Sequence, residues 1–431
     1  MKTWVAFTSA LGVLAASAAV AVWSLNMRDE ADLKTPAPLV ATDSQIARGA
    51  YLARAGNCMA CHTARGGREY AGGLGIPTPF GTVFTSNLTP DAATGIGSWS
   101  SAEFWRAMHN GRSKNGRLLY PAFPYTSYTQ VTQADSDAIF AYLRTLPAVS
   151  QERPDHALRF PFNSQAALAV WRALYFKPGV FEPDTRRTAE WNQGAYLVNG
   201  LGHCSACHSP RNALGGTRQS LAMAGGLIPM QNWYAPSLTS PHEAGVGDWR
   251  PEDIVSLLKT GVAPGASVSG PMAEVVLRST QHLSEQDLGA MAQYLKDLGN
   301  GNGNASPKPQ APARAASPAA NAERAAKLYS AHCAQCHGDN GQGVANAYPP
   351  LAGNRAVTMA STANLVQIVL NGGFPPATAG NPRPFGMPPF VLVLNDSEVA
   401  DVISHIRTAW GNQAGSITAM EVNRIRARQG H

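Results

Sequence analysis

One five-residue pattern governs what this chain can fold into. All six cysteines fall into Cys-x-x-Cys pairs: Cys58 with Cys61, Cys204 with Cys207, and Cys333 with Cys336. A histidine follows each pair at once: His62, His208 and His337. Two thiols one helical turn apart can add to the two vinyl groups of one porphyrin, and the adjacent histidine then lies under the iron as an axial ligand. This is the spacing of c-type haem attachment. A structural zinc site draws four ligands from two such pairs, and a dithiol redox site needs no histidine there. The expectation is three covalently bound haem c groups.

The surroundings of the motifs repeat as well, as expected of tandem units. Arg48-Gly49-Ala50-Tyr51-Leu52, Gln193-Gly194-Ala195-Tyr196-Leu197 and Arg324-Ala325-Ala326-Lys327-Leu328 each precede one motif. Downstream, Ser86-Asn87-Leu88-Thr89 and Gly95-Ile96-Gly97-Ser98-Trp99 match Pro236-Ser237-Leu238-Thr239 and Gly245-Val246-Gly247-Asp248-Trp249. Amphipathic helices are expected to close the repeats over 135–146, 284–298 and 396–410, with acidic or hydroxyl residues at their starts as N-caps. Strand-like alternation is scarce, so the fold is expected to be mostly α: three tandem cytochrome c-type haem domains after an N-terminal hydrophobic helix. The expected boundaries are 1–28 for the apolar leader, 44–150 for domain 1, 151–188 for an inter-domain segment, 189–298 for domain 2, 299–320 for a Pro/Ala linker, 321–411 for domain 3 and 412–431 for a short basic tail with Arg424, Arg426 and Arg428. The aromatic segment 154–188 is too apolar for a free linker and is expected to pack against a domain.

The sixth iron ligand sets the potential, and methionine raises it. Met387, in Phe385-Gly386-Met387-Pro388-Pro389, stands in a proline loop before the last helix and is the expected ligand of the third haem. Met272, in Gly270-Pro271-Met272, holds the same place in the second repeat, with Met230 and Met291 as alternatives. Repeat one breaks the pattern. Its loop is Tyr120-Pro121-Ala122-Phe123-Pro124-Tyr125, and Phe123 cannot ligate iron. His109 is the expected substitute, giving a bis-histidine haem of lower potential. Met108 and an open iron are the alternatives.

No charged residue lies between Thr3 and Met27, and Trp4 and Trp23 sit where interfacial aromatics belong. That length spans a bilayer as a helix. A cleaved signal peptide, with Ala16-Ser17-Ala18 or Ala19-Val20-Ala21 as its site, competes with an uncleaved anchor. Cleavage after Ala18 would leave Ala-Val-Ala-Val-Trp at the new start, so the anchor is preferred. Either way the rest of the chain is expected at the cytoplasmic membrane, on its periplasmic side. The net charge of +6 comes from scattered basic residues, with no Lys/Arg stripe interleaved with aromatics, which argues against a nucleic-acid partner. There is no P-loop, dinucleotide fingerprint or nucleophile motif.

The stretch from Ala189 through Gly200-Leu201-Gly202-His203-Cys204-Ser205-Ala206-Cys207-His208 to Asn212 resembles the second-haem region of the triheme cytochrome subunits of membrane-bound bacterial dehydrogenases of the alcohol, aldehyde and gluconate type. Phe160-Pro161-Phe162-Asn163 and Phe176-Lys177-Pro178-Gly179 resemble that family's inter-domain segment, and Asn87-Leu88-Thr89-Pro90-Asp91 its first haem domain. The resemblance covers about residues 44–411. It implies an electron-transfer subunit serving a large catalytic dehydrogenase subunit of flavin, quinone or molybdenum type, with ubiquinone or a terminal oxidase downstream. Many members carry methionine where Phe123 stands, and the Phe form looks like cytochromes that accompany periplasmic molybdenum hydroxylases. A free-standing membrane cytochrome and a haem enzyme working at the first iron are the competing expectations.

Overall fold

The computed structural model describes residues 2–30, 33, 40–302, 319–345 and 347–427. It is mostly helical, with three small antiparallel ladders, and divides into two compact units. The first holds Met1–Glu182 with Asn199–His203 and Asn212–Gly216; the second holds the rest, and with it both later motifs. Most of the expected linker, residues 303–318, lies outside the described residues, as does Arg428 of the expected tail.

In the first unit, α1 (Lys2–Asn26) is the apolar helix. It is followed by α2 (Asp43–Ala55), α3 (Cys58–Cys61), β1 (Gly75–Thr78), β2 (Gly81–Phe84), α4 (Ser101–Asn110), α5 (Tyr125–Tyr128), α6 (Gln133–Leu143), β3 (Ala157–Leu158) and α7 (Gln165–Tyr175). Reciprocal caps start α2 and α4: Thr42 with Gln45, and Ser100 with Glu103. The helix entering the motif crosses the closing helix at Gly49. A Cβ built there would stand 1.8 Å from the Ala138 carbonyl oxygen, so only glycine lets α2 and α6 approach this closely. Arg48 and Asp135 pair across the crossing at 3.1 Å. Leu52, Tyr125, Val131, Ile139 and Leu143 fill the core.

The apolar helix is exposed along its length, with Trp4, Phe7, Leu11, Leu14 and Trp23 bare, but its last turn is sewn into this unit by polar contacts. Buried Asn26 donates through Nδ2 to the Ala169 carbonyl (2.9 Å) and accepts at Oδ1 from Nε of buried Arg172 (2.9 Å). Arg112 donates to the Asn26 carbonyl (3.0 Å) and pairs with Glu30 (2.9 Å). Asn110 donates to the Asp29 carbonyl (2.7 Å). Polar groups removed from water persist only when paired, so this collar fixes where the helix leaves the domain. The aromatic segment expected between domains supplies α7, with Leu168, Arg172 and Phe176 buried within the same unit.

The second unit contains α8 (Ala189–Asn199), α9 (Ser205–His208), α10 (Pro251–Thr260), α11 (Pro271–Arg278), α12 (Glu285–Asp297), α13 (Ala319–His332), α14 (Ala334–His337), α15 (Arg355–Thr358), α16 (Ala363–Asn371), α17 (Asp396–Thr408) and α18 (Ala419–Ala427). The crossing seen in the first unit recurs twice. A Cβ at Gly194 would meet the Ala290 carbonyl oxygen at 1.9 Å, and Gln193 donates to Asp287 (2.9 Å). At the equivalent place buried Ala325 stands on α13, and Arg324 bonds Asp401 of α17 (2.7 Å). The expected basic tail is partly helical: Arg426 on α18 reaches Asp396 (2.6 Å) and the carbonyls of Val391 and Leu394, which binds the start of α17.

Candidate haem sites

Each motif forms a single helical turn, so its two thiols and its histidine leave the same short segment. The three histidines share one geometry. His62 Nδ1 lies 2.7 Å from the Ser86 carbonyl oxygen, His208 Nδ1 2.6 Å from that of Pro236, and His337 Nδ1 3.0 Å from that of Pro349. A carbonyl only accepts, so Nδ1 carries the proton in each ring and Nε2 keeps its lone pair. A hydrogen bond that fixes the tautomer and the ring plane is the usual support of a metal-ligating histidine. Burial lowers the pKa of all three, against the opposing pull of the carbonyl, and so favours the neutral imidazole that a metal requires.

A glycine stands behind each histidine. Gly72, Gly225 and Gly343 donate from their backbone nitrogens to the carbonyls of His62, His208 and His337 at 2.8, 2.7 and 2.8 Å. Gly72 has φ +74°, and a Cβ there would stand 2.5 Å from the Ser86 carbonyl, the group that orients His62. These glycines and the three acceptor carbonyls are functional positions that reasoning from side chains missed. The glycine at the end of each short connection was the one available signal.

The thiols are unbridged. Burial, with a contribution from the partner thiol, pushes Cys58 and Cys204 up to about 12 and Cys333 up to about 11, so these three are held neutral. The second thiol of each pair differs in its surroundings. Cys61 and Cys207 are exposed, whereas Cys336 is half-buried and lies within hydrogen-bonding reach of the Tyr348 hydroxyl. Cys336 shares one short helical turn with Cys333 and His337. Among the described residues no three His, Cys, Asp or Glu side chains converge on a metal-ion cage. Two thiols and one imidazole with a free Nε2 are the donor set that a covalently attached haem requires, and the residues present fit that group.

The residues expected as sixth ligands differ in their surroundings. Met387 exchanges backbone hydrogen bonds with Gly373 (2.8 and 3.0 Å) and packs against the apolar cluster that holds Val366, Val369 and Ile403. Met272 sits, half-buried, in the first turn of α11 after Gly270. Of the alternatives, Met230 is exposed and Met291 is buried on α12. His109 differs from the axial histidines. Its Nδ1 lies 2.9 Å from the Thr129 carbonyl oxygen and its Nε2 2.8 Å from the Asp29 carboxylate, and its ring is stacked on Trp105. Both ring nitrogens of His109 are thus engaged within the protein, an arrangement unlike that of His62, His208 and His337. Met108 is buried on α4 one turn after Phe104, which packs on Phe140 of α6.

Three repeated helix crossings, each framing two thiols and a carbonyl-locked imidazole, define a c-type cytochrome. The cytochrome c family profile matches residues 46–147 and 322–410. The chain is 38% identical to the cytochrome c subunit of alcohol dehydrogenase (quinone) from Gluconacetobacter polyoxogenes, over 90% of this chain and 85% of the relative. It is 38% identical to the gluconate 2-dehydrogenase cytochrome c subunit of Pantoea cypripedii, over 90% of each. It is 39% identical to one of the subunits of nicotinate dehydrogenase from Pseudomonas putida, over 98% of this chain and 36% of that one. The chain belongs to the family of cytochrome c subunits of dehydrogenases.

Proposed function

We propose that this chain is a three-haem electron-relay subunit that takes single electrons from a large periplasmic dehydrogenase subunit and passes them to ubiquinone or another respiratory acceptor. The observation that carries the proposal is the threefold recurrence of one lock, in which a histidine directly after a thiol pair has Nδ1 held by a backbone carbonyl and Nε2 free. When bound, haem c supplies reversible one-electron chemistry. The chain's own residues do the rest. Cys58 and Cys61, Cys204 and Cys207, and Cys333 and Cys336 attach the porphyrins, and His62, His208 and His337 hold the irons. Met272 and Met387 complete the second and third sites and raise their potentials.

The relatives named above serve an alcohol, a gluconate and a nicotinate dehydrogenase. Partners so unlike in substrate favour a reading in which substrate choice belongs to the catalytic subunit and the relay is shared. We take that partner to be of flavin, quinone or molybdenum type. The apolar stretch Phe7–Asn26 is long enough to cross a bilayer, and we read it as a retained anchor that puts the haem-bearing part on the periplasmic face. The collar at Asn26–Glu30 supports this, since the end of the helix is built into the first unit.

The test is purification of the chain from detergent-solubilised membranes, with mass spectrometry of whatever accompanies it and a haem count on the chain itself. A stoichiometric flavin, quinone or molybdenum protein and three covalent haems are expected. A chain that purifies alone, or with an oxidase, would overturn the dehydrogenase assignment in favour of a free-standing carrier.

A further inference from the structure

We infer that the chain offers the first haem no sixth side-chain ligand, and that Phe123 leaves that iron open to a small exogenous ligand of the carbon monoxide or cyanide class. The inference rests on the haem reading above. It is argued from the residue in the methionine slot of the first unit and from that unit's histidines.

Phe123 occupies the loop position that Met272 and Met387 occupy in the other repeats, and it carries no lone pair. Its ring lies 5.3 Å from that of Tyr128. Tyr128 is a neighbour of Cys58 and Cys61, and its hydroxyl donates to the Gly56 carbonyl (3.0 Å), two residues before the motif. The methionine slot filled by Phe123 therefore adjoins the first thiol pair. Three histidines besides His62 belong to this unit. His109 has both nitrogens bonded. His156 accepts at Nδ1 from the Phe84 backbone N–H (3.1 Å), which leaves its proton on Nε2 and no lone pair free. His203 alone keeps a free Nε2, because its Nδ1 donates to the Leu201 carbonyl (2.7 Å). Its ring meets Tyr128 edge-on at 5.5 Å, and Leu201 lies against Gly56. Tyr128 thus has Phe123 and His203 as ring neighbours, and His203 is the histidine that the experiment must test against an open iron. The Met108 side chain belongs to the face of α4 that packs on α6.

The experiment uses the full-length, haem-loaded chain. Covalent haems are counted first; fewer than three would break the three-haem reading, independently of the coordination question. Ferric EPR and carbon monoxide titration of the reduced chain follow. One of the three haems is expected to be high-spin when ferric and to take up one carbon monoxide per chain when ferrous. Phe123→Met should abolish both signals, and Phe123→Leu should keep both. His109→Ala should change neither. Three low-spin haems without carbon monoxide uptake would overturn the inference, and His203→Ala would then show whether His203 is the missing ligand. Uptake that survives Phe123→Met, or a second high-spin haem appearing with His109→Ala, would overturn it equally.

Discussion

His109 Nε2 stands 2.8 Å from the Asp29 carboxylate, and Asp29 is the third residue beyond the apolar helix. A side chain eligible by type to hold iron ties the end of that helix to α4. Asp29→Ala leaves the buried ring nitrogen of His109 without this partner and should lower stability by about 1–2 kcal/mol. His109→Ala also loses the Thr129 contact and the stacking on Trp105, and should cost about 2–3 kcal/mol. Denaturant unfolding of the haem-loaded protein measures both. The optical spectrum of the folded protein should stay that of the wild type if His109 is bonded only to Asp29 and Thr129.

Gly72→Ala places a methyl group 2.5 Å from the Ser86 carbonyl, at φ +74°. The left-handed backbone costs a non-glycine residue of order 1–3 kcal/mol. Relief of the clash must also move the acceptor that orients His62. In a redox titration one midpoint should shift while the others stay put. Gly66→Ala is the control: it has φ +70° with nothing within 4 Å, so it should lose stability without moving any midpoint.

The legible part of this molecule is what side chains write. The motifs could be read because attachment of a porphyrin needs two thiols and a histidine at fixed spacing, and the vacancy at Phe123 showed because two other repeats supply the comparison. The carbonyl locks could not be read, since Ser86, Pro236 and Pro349 act through backbone atoms that leave no mark on residue identity. The bond between His109 and Asp29 could not be read for a different reason. Asp29 lies 80 residues upstream, beyond any local pattern. Arg426 looked like part of a solvated basic tail, but it bonds Asp396 across 30 residues.

His156 makes stability fall with acid. Burial first, and then the charges of Arg153 and Arg117, hold its pKa down at about 4 from 6.5, against the weaker opposing pull of Asp155. Neutral His156 accepts from the Phe84 N–H and from Arg153, and Tyr120 lies edge-on to its ring. The unfolded chain protonates this ring at higher pH than the folded one, so the folded state binds fewer protons. Its stabilising contribution is whole above pH 6.5 and is lost as pH falls toward 4. His156→Gln, which can still accept a hydrogen bond, should flatten that part of the stability–pH curve. An unchanged slope would assign the acid sensitivity to other groups.

Met387 is clamped by its paired backbone bonds to Gly373, just beyond the end of α16, and its side chain packs on the cluster of Val366, Val369 and Ile403. Met387→Leu keeps the bulk of the side chain, and such swaps usually cost less than about 1.5 kcal/mol, so the fold should survive while the sulfur is lost. If that sulfur is the sixth ligand, the third haem becomes five-coordinate, its potential falls because methionine ligation raises it, and carbon monoxide uptake rises by one per chain. Met272→Leu should do the same at the second haem and leave the third as it was. The double variant should add the two effects, because each methionine belongs to its own repeat. A low-spin spectrum that survives either single substitution would remove that methionine from the ligand set and direct the search to Met291 for the second haem. The same pair of variants also orders the potentials, since the midpoint that drops in each identifies which haem it belongs to.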